Sequence, residues 1–462
     1  SLSTVKILTS ILSSENVKYA LSTIDSREAL FESIDANKKI YKYFILINCG
    51  GNFNLTALSM GDEEIVIFII DNHRPYNLQN IYSAETVRLI INNNENLEDV
   101  PKFETLFESV CSDNTHISNK KSDTIEKKYE RFFYHGSPSA ITMFDITSKL
   151  GKDILEYVWF ALCGLTELFI LRKLTREKYI CDMMYLQQQV LRLSTSNNDP
   201  SACFSINSEI VLQIYFYTHW SLMESLRTSP LTSSHFQIWS INGGKRLFSF
   251  LADMGIPLSQ CKQSFTSMES DIRNSSKNLI MKHSTKYGLH DISYPSFVAQ
   301  FGYRCKITAA DYVLTLISAI DYCAKNQENR SGSFLSALEI LNILNVSRLE
   351  QQIQVAKSML SSIATNVGYF VDLHYIICAG PFLFGAATED REQQRFISNP
   401  LILDIISYYA LLSHSTLTKS KRAKELPFIL TIPISDTENS VIVGIPPISS
   451  SNLLKCNIFL EL

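Results

Sequence analysis

The sequence is short of charge, and what it carries is nearly balanced. Charged residues make up 19% of the 462, against ~25% in an ordinary globular domain. The 42 Lys and Arg are offset by 46 Asp and Glu, a net of −4. A basic coat over the whole molecule is therefore excluded, and nucleic-acid contact has to come from a local patch. Cysteine is scattered ten times between Cys49 and Cys456, with no C-x-x-C and no paired spacing. That excludes a zinc ribbon and a secreted disulfide framework, and reads as buried thiols in a reducing compartment. No segment repeats at ~20–50 residues. Long uncharged apolar runs are missing too, whereas a spanning helix wants ~20 such residues. Tyr157–Leu174 holds Glu167, Arg172 and Lys173, and Val367–Ala387 is broken by Asp372, His374 and Pro381. Both read as buried elements of a soluble protein, away from any membrane. The chain opens Ser1-Leu2-Ser3-Thr4 without Met or a charged, apolar leader, and is expected to be a piece of a longer one.

Apolar residues supply 45% of the chain, which excludes disorder as the main state, and its length predicts two or three domains. Up to about Ile91, helical stripes alternate with continuous apolar runs. Val5–Leu12 and Arg27–Ile34 have helical spacing, the second with Ser26 as a cap. Val17–Leu21 is short and apolar. Tyr41–Asn48, Ile65–Ile70 and Thr86–Ile91 are apolar on both faces, the pattern of a parallel sheet covered on both sides. Residues 1–200 are thus expected to form a doubly wound α/β domain, with 92–128 a polar loop or linker.

A helical start is expected at Ser137-Pro138. Helices are expected at Ile154–Leu174, Glu177–Leu193, Glu209–Leu226, Lys245–Met254 and Ala309–Ala324, which makes residues 201–345 an all-helical domain. Residues 346–462 return to α/β character. Helices are expected at Val346–Ile363 and Leu401–Leu412, and strands at Tyr369–Cys378, Phe428–Ile432 and Ser440–Val443.

Few residues combine into a chemical pattern. Asp71-Asn72-His73-Arg74-Pro75 follows the second apolar strand, at the carboxyl end where ligands of a parallel sheet collect. Asp71 and His73, two apart, point the same way. Such a pair binds a metal or moves a proton, or else only closes a turn. Asn48-Cys49-Gly50-Gly51 ends the neighbouring strand, where the glycines allow positive φ and close backbone approach. Glu167 is the carboxylate of an apolar helix and needs a partner there. Lys419, Lys421, Arg422 and Lys424 form the compact basic cluster, a candidate phosphate contact or a solvated loop.

Several of these segments together resemble one family. They are Tyr43–Gly50, Asp71–Pro75, Tyr134–Ala140, Gly164–Glu167, His219–Leu222, Lys245–Phe248, Phe250–Leu258, Gly380–Leu383 and Val443–Pro447. In this collinear order the chain resembles the eukaryotic replication factors of the cell-division-cycle 45 family, with Phe250–Leu258 the most specific block. The resemblance implies a retired relative of the RecJ and DHH phosphoesterases: an N-terminal DHH domain, an inserted helical domain and a C-terminal DHHA1-like domain. It implies a nuclear factor of replication initiation and elongation that bridges the MCM hexamer and the GINS complex in the CMG helicase. DNA polymerases and weakly held single-stranded DNA are further implied partners.

Active members of that superfamily hold two divalent metals on Asp and His side chains. Here Asp71 and His73 match the motif, but Asn72 stands for its first His. Asn48 stands for an Asp, and Glu167 for a later Asp. The strand carrying a further Asp motif is expected before Ser1, and relatives carry a longer tail than the fifteen residues after Pro447. Asn48, Asp71, Asn72, His73 and Glu167 are thus a vestigial cleft, with no catalytic residue, metal or cofactor expected. The competing reading is an active DHH-type metal-dependent exonuclease.

Overall fold

The computed structural model describes residues 1–448 apart from 25, 57–64, 84, 93–94, 96–99, 104–127, 131–132, 197–203, 303–304, 327–329, 344, 387–399, 419–423 and 434–439. It divides into two compact units, residues 1–193 and 194–451. Residues 345 and 346 both lie in the second.

The first unit is built on short strands. β1 (Tyr43–Ile47), β2 (Val66–Ile70) and β4 (Val87–Leu89) form a parallel sheet in the order β1-β2-β4. Of these, β2 is apolar throughout, while β4 turns Arg88 outward and β1 exposes Tyr43 and Ile45. The helix Arg27–Asn37 starts on Ser26, whose hydroxyl accepts from Ala29 N at 3.1 Å. It lays Leu30 and Ile34 on a core with Leu46, Ile67, Ile69 and Val87. The helices Leu2–Ser14, Ser139–Lys149 and Leu155–Ile170 pack on one another. Leu155–Ile170 is buried nearly all round, as the charge-interrupted run predicts for a core helix. Among the described residues no helix is long and apolar enough to cross a membrane. The short apolar segment Val17–Leu21 is exposed coil. The helix Ser139–Lys149 starts one residue later than expected: Pro138 is its N-cap, and no side chain caps it.

In the second unit the all-helical expectation for residues 201–345 is overturned. β6 (Phe204–Leu212), β7 (Ser293–Phe301) and β8 (Cys305–Thr308) make a three-stranded antiparallel sheet. The expected helix Glu209–Leu226 is the end of β6, an irregular turn, and a short helix Leu222–Thr228 capped by Ser221. The cause is long-range pairing. Every residue of β6 finds a partner on β7, about eighty or more positions away, and that ladder outweighs the helical spacing of Ile210 and Ile214. Pro295 is tolerated in β7 because it lies in the half that β8 does not reach. Around the sheet, Leu212, Leu222, Leu226, Leu247, Phe250, Leu251 and Met254 form one buried core.

The last segment is α/β. β9 (Ile376–Cys378), β10 (Leu383–Ala386), β11 (Phe428–Pro433) and β12 (Ser440–Ile445) form a mixed sheet in the order β12-β11-β10-β9, with β10 and β11 parallel. The helix Pro400–Leu417 packs on β11 and β12. The expected strand Tyr369–Cys378 shrinks to its last three residues. Val346–Asp372 stays helical because Ile363, Val367, Phe370 and Val371 continue its buried stripe.

The helix Ile241–Asp253 opens on Ser240, whose hydroxyl accepts from Gly243 N at 3.0 Å. A Cβ at Gly243 would run into the backbone carbonyls of Gln237 and Phe236. Gly243→Ala is therefore expected to destabilise the second unit by about 2–3 kcal/mol, as overpacking against immobile backbone does. Urea unfolding followed by far-ultraviolet dichroism checks it, and a loss under about 0.5 kcal/mol, within the range of innocuous surface changes, would refute it.

Candidate functional site

β1 and β2 end side by side, and their first residues beyond the sheet meet. Asn48 takes φ +53°, a left-handed backbone that Asn accepts more readily than most residues. Its N–H donates to the Ile70 carbonyl at 2.9 Å. Gly50 follows at φ +85°. Gly51 N donates to Asp71 Oδ2 at 3.1 Å. A Cβ on Gly51 would sit 2.8 Å from that same oxygen, so the glycine pair is what lets the backbone reach the carboxylate.

Asp71 is buried, 4% exposed, and both its oxygens are engaged. His73 donates to Oδ1 from Nδ1 at 2.6 Å and from its backbone N at 3.1 Å. Burial alone would raise the Asp71 pKa. The hydrogen bonds and charge of His73, with the Gly51 N–H, outweigh it and leave the carboxyl below its usual value. Cys49 beside it goes the other way. Burial first, and the Asp71 charge second, push its thiol up to about 11, so it stays protonated.

The next residues fasten the loop. The two-residue strands β3 (His73–Arg74) and β5 (Tyr134–His135) pair antiparallel, with His73 opposite His135. Their rings lie 5.1 Å apart. Gly136 N donates to the Asn72 carbonyl at 2.8 Å. Arg74 is buried and donates to the carbonyls of Asp71 at 2.8 Å and His73 at 3.0 Å. Its guanidinium stands 3.9 Å from the centre of the Tyr76 ring, and Tyr76 OH donates to the Asp71 carbonyl at 2.8 Å. Arg74 Nη2 also donates to Glu95, and the other oxygen of that carboxylate accepts from Ser137 N.

Among the described residues, three buried polar atoms here have no hydrogen-bond partner: Asn48 Oδ1, Asn72 Oδ1 and His135 Nδ1. Burial first, then the Lys173 charge, push the His135 pKa down to about 3, so it is neutral.

Asn48, Asp71, Asn72 and His73 thus lie together where the sequence places them. Glu167 is half-buried on the last turn of Leu155–Ile170, and among the described residues the structure records no contact between it and that group. Among those residues, no three His, Cys, Asp or Glu side chains are arranged to hold a metal ion. Lys419, Lys421 and Arg422 fall outside the described residues, and Lys424 is exposed. Glu95 sits in the polar stretch 92–128, where no local pattern marks it.

A family model described as CDC45 matches residues 1–116 and 108–459. The chain belongs to the CDC45 family. The human CDC45 relative named "Cell division control protein 45 homolog" is 31% identical, over 97% of this chain and 85% of that protein. The one from Schizosaccharomyces pombe is 24% identical, over 95% and 83%. The crystal structure of CDC45 from Entamoeba histolytica superposes with a TM-score of 0.73 at 21% identity, over 98% of this chain and 84% of that one. That likeness establishes the CDC45 fold: a mixed α/β chain with helices and several sheets.

Proposed function

We propose that the chain is a non-catalytic replication factor that bridges the MCM ring and GINS within the nuclear CMG helicase. Membership of the CDC45 family supports the replication role. The absence of catalysis rests on the Asp71 group. Two dications bring four positive charges and need several anionic ligands. Of Asn48, Asp71, Asn72 and His73, Asp71 is the one carboxylate, and it already serves His73 and Gly51; the Glu95 carboxylate is engaged by Arg74 and Ser137 N. Asn48 and Asn72 contribute neutral amides where acid and imidazole would be required. These residues do not fit a metal pair. The DHH, inserted and DHHA1-like division at 1–200, 201–345 and 346–462 belongs to the same proposal. The parallel sheet of the first unit and the mixed sheet of the last segment support it. Weak single-stranded DNA binding at Lys419, Lys421, Arg422 and Lys424, and contact with DNA polymerases, are part of the same proposal.

Co-expression with MCM and GINS subunits of the same organism tests the proposal. A stoichiometric complex is expected, together with no nuclease activity in Mg²⁺ or Mn²⁺. Metal-dependent cleavage that disappears in Asp71→Ala, or failure of the unmodified chain to assemble, would overturn it.

A further inference from the structure

Between β6 and the helix Leu222–Thr228 the chain passes through residues 213–221, and the bend there falls on an unsuitable residue. Phe216 takes φ +56°, a left-handed backbone that a bulky side chain rarely adopts, and its ring is fully buried. Side chains outside the loop hold it in this shape. Tyr215 N donates to Ser229 Oγ at 2.8 Å, and Phe216 N donates to Asp311 Oδ1 at 2.8 Å. The Phe216 carbonyl in turn accepts from His219 N at 2.9 Å.

Asp311 and His219 thus meet on one strained residue, and burial acts on both. Asp311 lies in the first turn of the helix Ala309–Asn326, 2% exposed, with its N–H on Thr308 Oγ1 at 3.1 Å. Among the described residues no cation pairs with it. Lys306 of β8 pairs instead with Glu209 of β6, at 2.8 Å. The loop's own Tyr217 faces Asp311 and stays protonated, its phenol pushed up to about 12 by burial first, then by the Asp311 and Glu209 charges. A carboxyl so placed favours its neutral form. Burial outweighs the bonds from Phe216 and Thr308 and lifts Asp311 to about 7. His219 is the mirror case. Among the described residues its buried Nε2 has no hydrogen-bond partner. Burial first, then the charge of Lys357 on the helix Val346–Asp372, push its imidazole down to about 4, and a hydrogen bond to the Lys306 backbone offsets only part of this.

Opening the loop hydrates both groups, which then titrate near their ordinary values of ~3.9 and ~6.5. The two signs oppose. From about pH 4 to 6.5 the closed loop carries a proton on Asp311 that the open loop lacks, which favours opening as pH rises. Over the same range the open loop carries a proton on His219 that the closed loop lacks, which favours opening as pH falls. We infer that Asp311 and His219 are a compensating pair: closure takes one proton from solvent onto the acid and releases one from the base, so the loop stays closed to the same extent while pH changes.

Amide hydrogen exchange of the full chain, corrected for the intrinsic rate at each pH, tests this on peptides covering residues 213–221, with β7 as control. Between pH 4.5 and pH 7.5, opening of the parent loop should change by less than about fivefold. Asp311→Asn keeps an acceptor for Phe216 N but cannot ionise, and its opening should fall at least about tenfold over that range. His219→Gln should rise at least about tenfold, and the double variant should be level again. A parent that changes about fivefold or more, a single variant with a level profile, two single variants that slope the same way, or a sloping double variant would overturn the inference. Equal slopes in β7 would do so too, by assigning the effect to the whole unit. If Asp311→Asn does not fold, His219→Gln decides by itself, since it leaves Asp311 uncompensated.

Discussion

Glu95→Ala is expected to cost the first unit about 3–5 kcal/mol, the penalty for leaving one member of a buried ion pair without its partner. The Arg74 and Glu95 side chains are only 5% and 10% exposed. Glu95 also accepts from Ser137 N, so its loss orphans a backbone donor at the start of the helix Ser139–Lys149. At about 2–4 °C per kcal/mol for a unit of this size, the midpoint of thermal unfolding should fall by about 10 °C. Trp159, buried in the helix Leu155–Ile170, reports on this unit when Trp220 and Trp239 are replaced by Phe. The double variant Arg74→Met, Glu95→Leu should recover much of the loss, because it leaves no buried charge alone. A loss in Glu95→Ala below about 1 kcal/mol, the level of an exposed pair, would mean that the clasp is a surface contact.

The sequence could expose one half of this clasp and not the other. Asp71, His73 and Arg74 are marked by position: a run apolar on both faces stops, and polar residues follow at its carboxyl end. That break is local and can be read by eye. Glu95 carries no such mark, since it lies in a polar stretch, and its meaning comes from Arg74, twenty-one positions earlier. An ion pair is written into the sequence twice, far apart, and neither copy points to the other.

The sheets divide along the same line. β1 and β2 are short apolar runs between turn residues, and their parallel pairing follows from that pattern, while β4 joins them with Arg88 turned outward. β6 mixes Ser, Asn and Glu with Ile and Val, and shows alternating rather than continuous burial over its first half. Its strand character comes from β7, so no window around Glu209 contains the cause. Asn48 is a case of two reasons meeting in one residue. By the resemblance set out above its amide replaces a charged metal ligand, and in the structure its left-handed backbone is one that Asn tolerates. The sequence offers the first reason, and only the structure reveals the second.

Acid should loosen the first unit through His135. Burial, then the charges of Lys173 and His73, hold its folded pKa at about 3, and Asp71 opposes them only in part. In the unfolded chain an imidazole titrates near ~6.5. Between those two values the unfolded state binds a proton that the folded state refuses, so stability rises with pH across the window and drains away as pH falls through it. Asp71 acts in a lower range: its folded pKa is depressed, so its contribution is present above the ordinary carboxylate value near ~3.9 and lost only below it. His135→Gln removes the first effect and leaves the second. Between pH 7 and pH 4 the variant is expected to lose on the order of 2 kcal/mol less stability than the parent, read by urea unfolding with the same Trp159 probe. A proton-resonance titration of the parent gives the independent check: the His135 ring should show no charging above pH 5. A ring that charges near its ordinary value, or parallel pH profiles for parent and variant, would show that β3 and β5 part readily enough to let water and a proton in. The cleft would then be open at its rim, with Asp71 within reach of solvent ions.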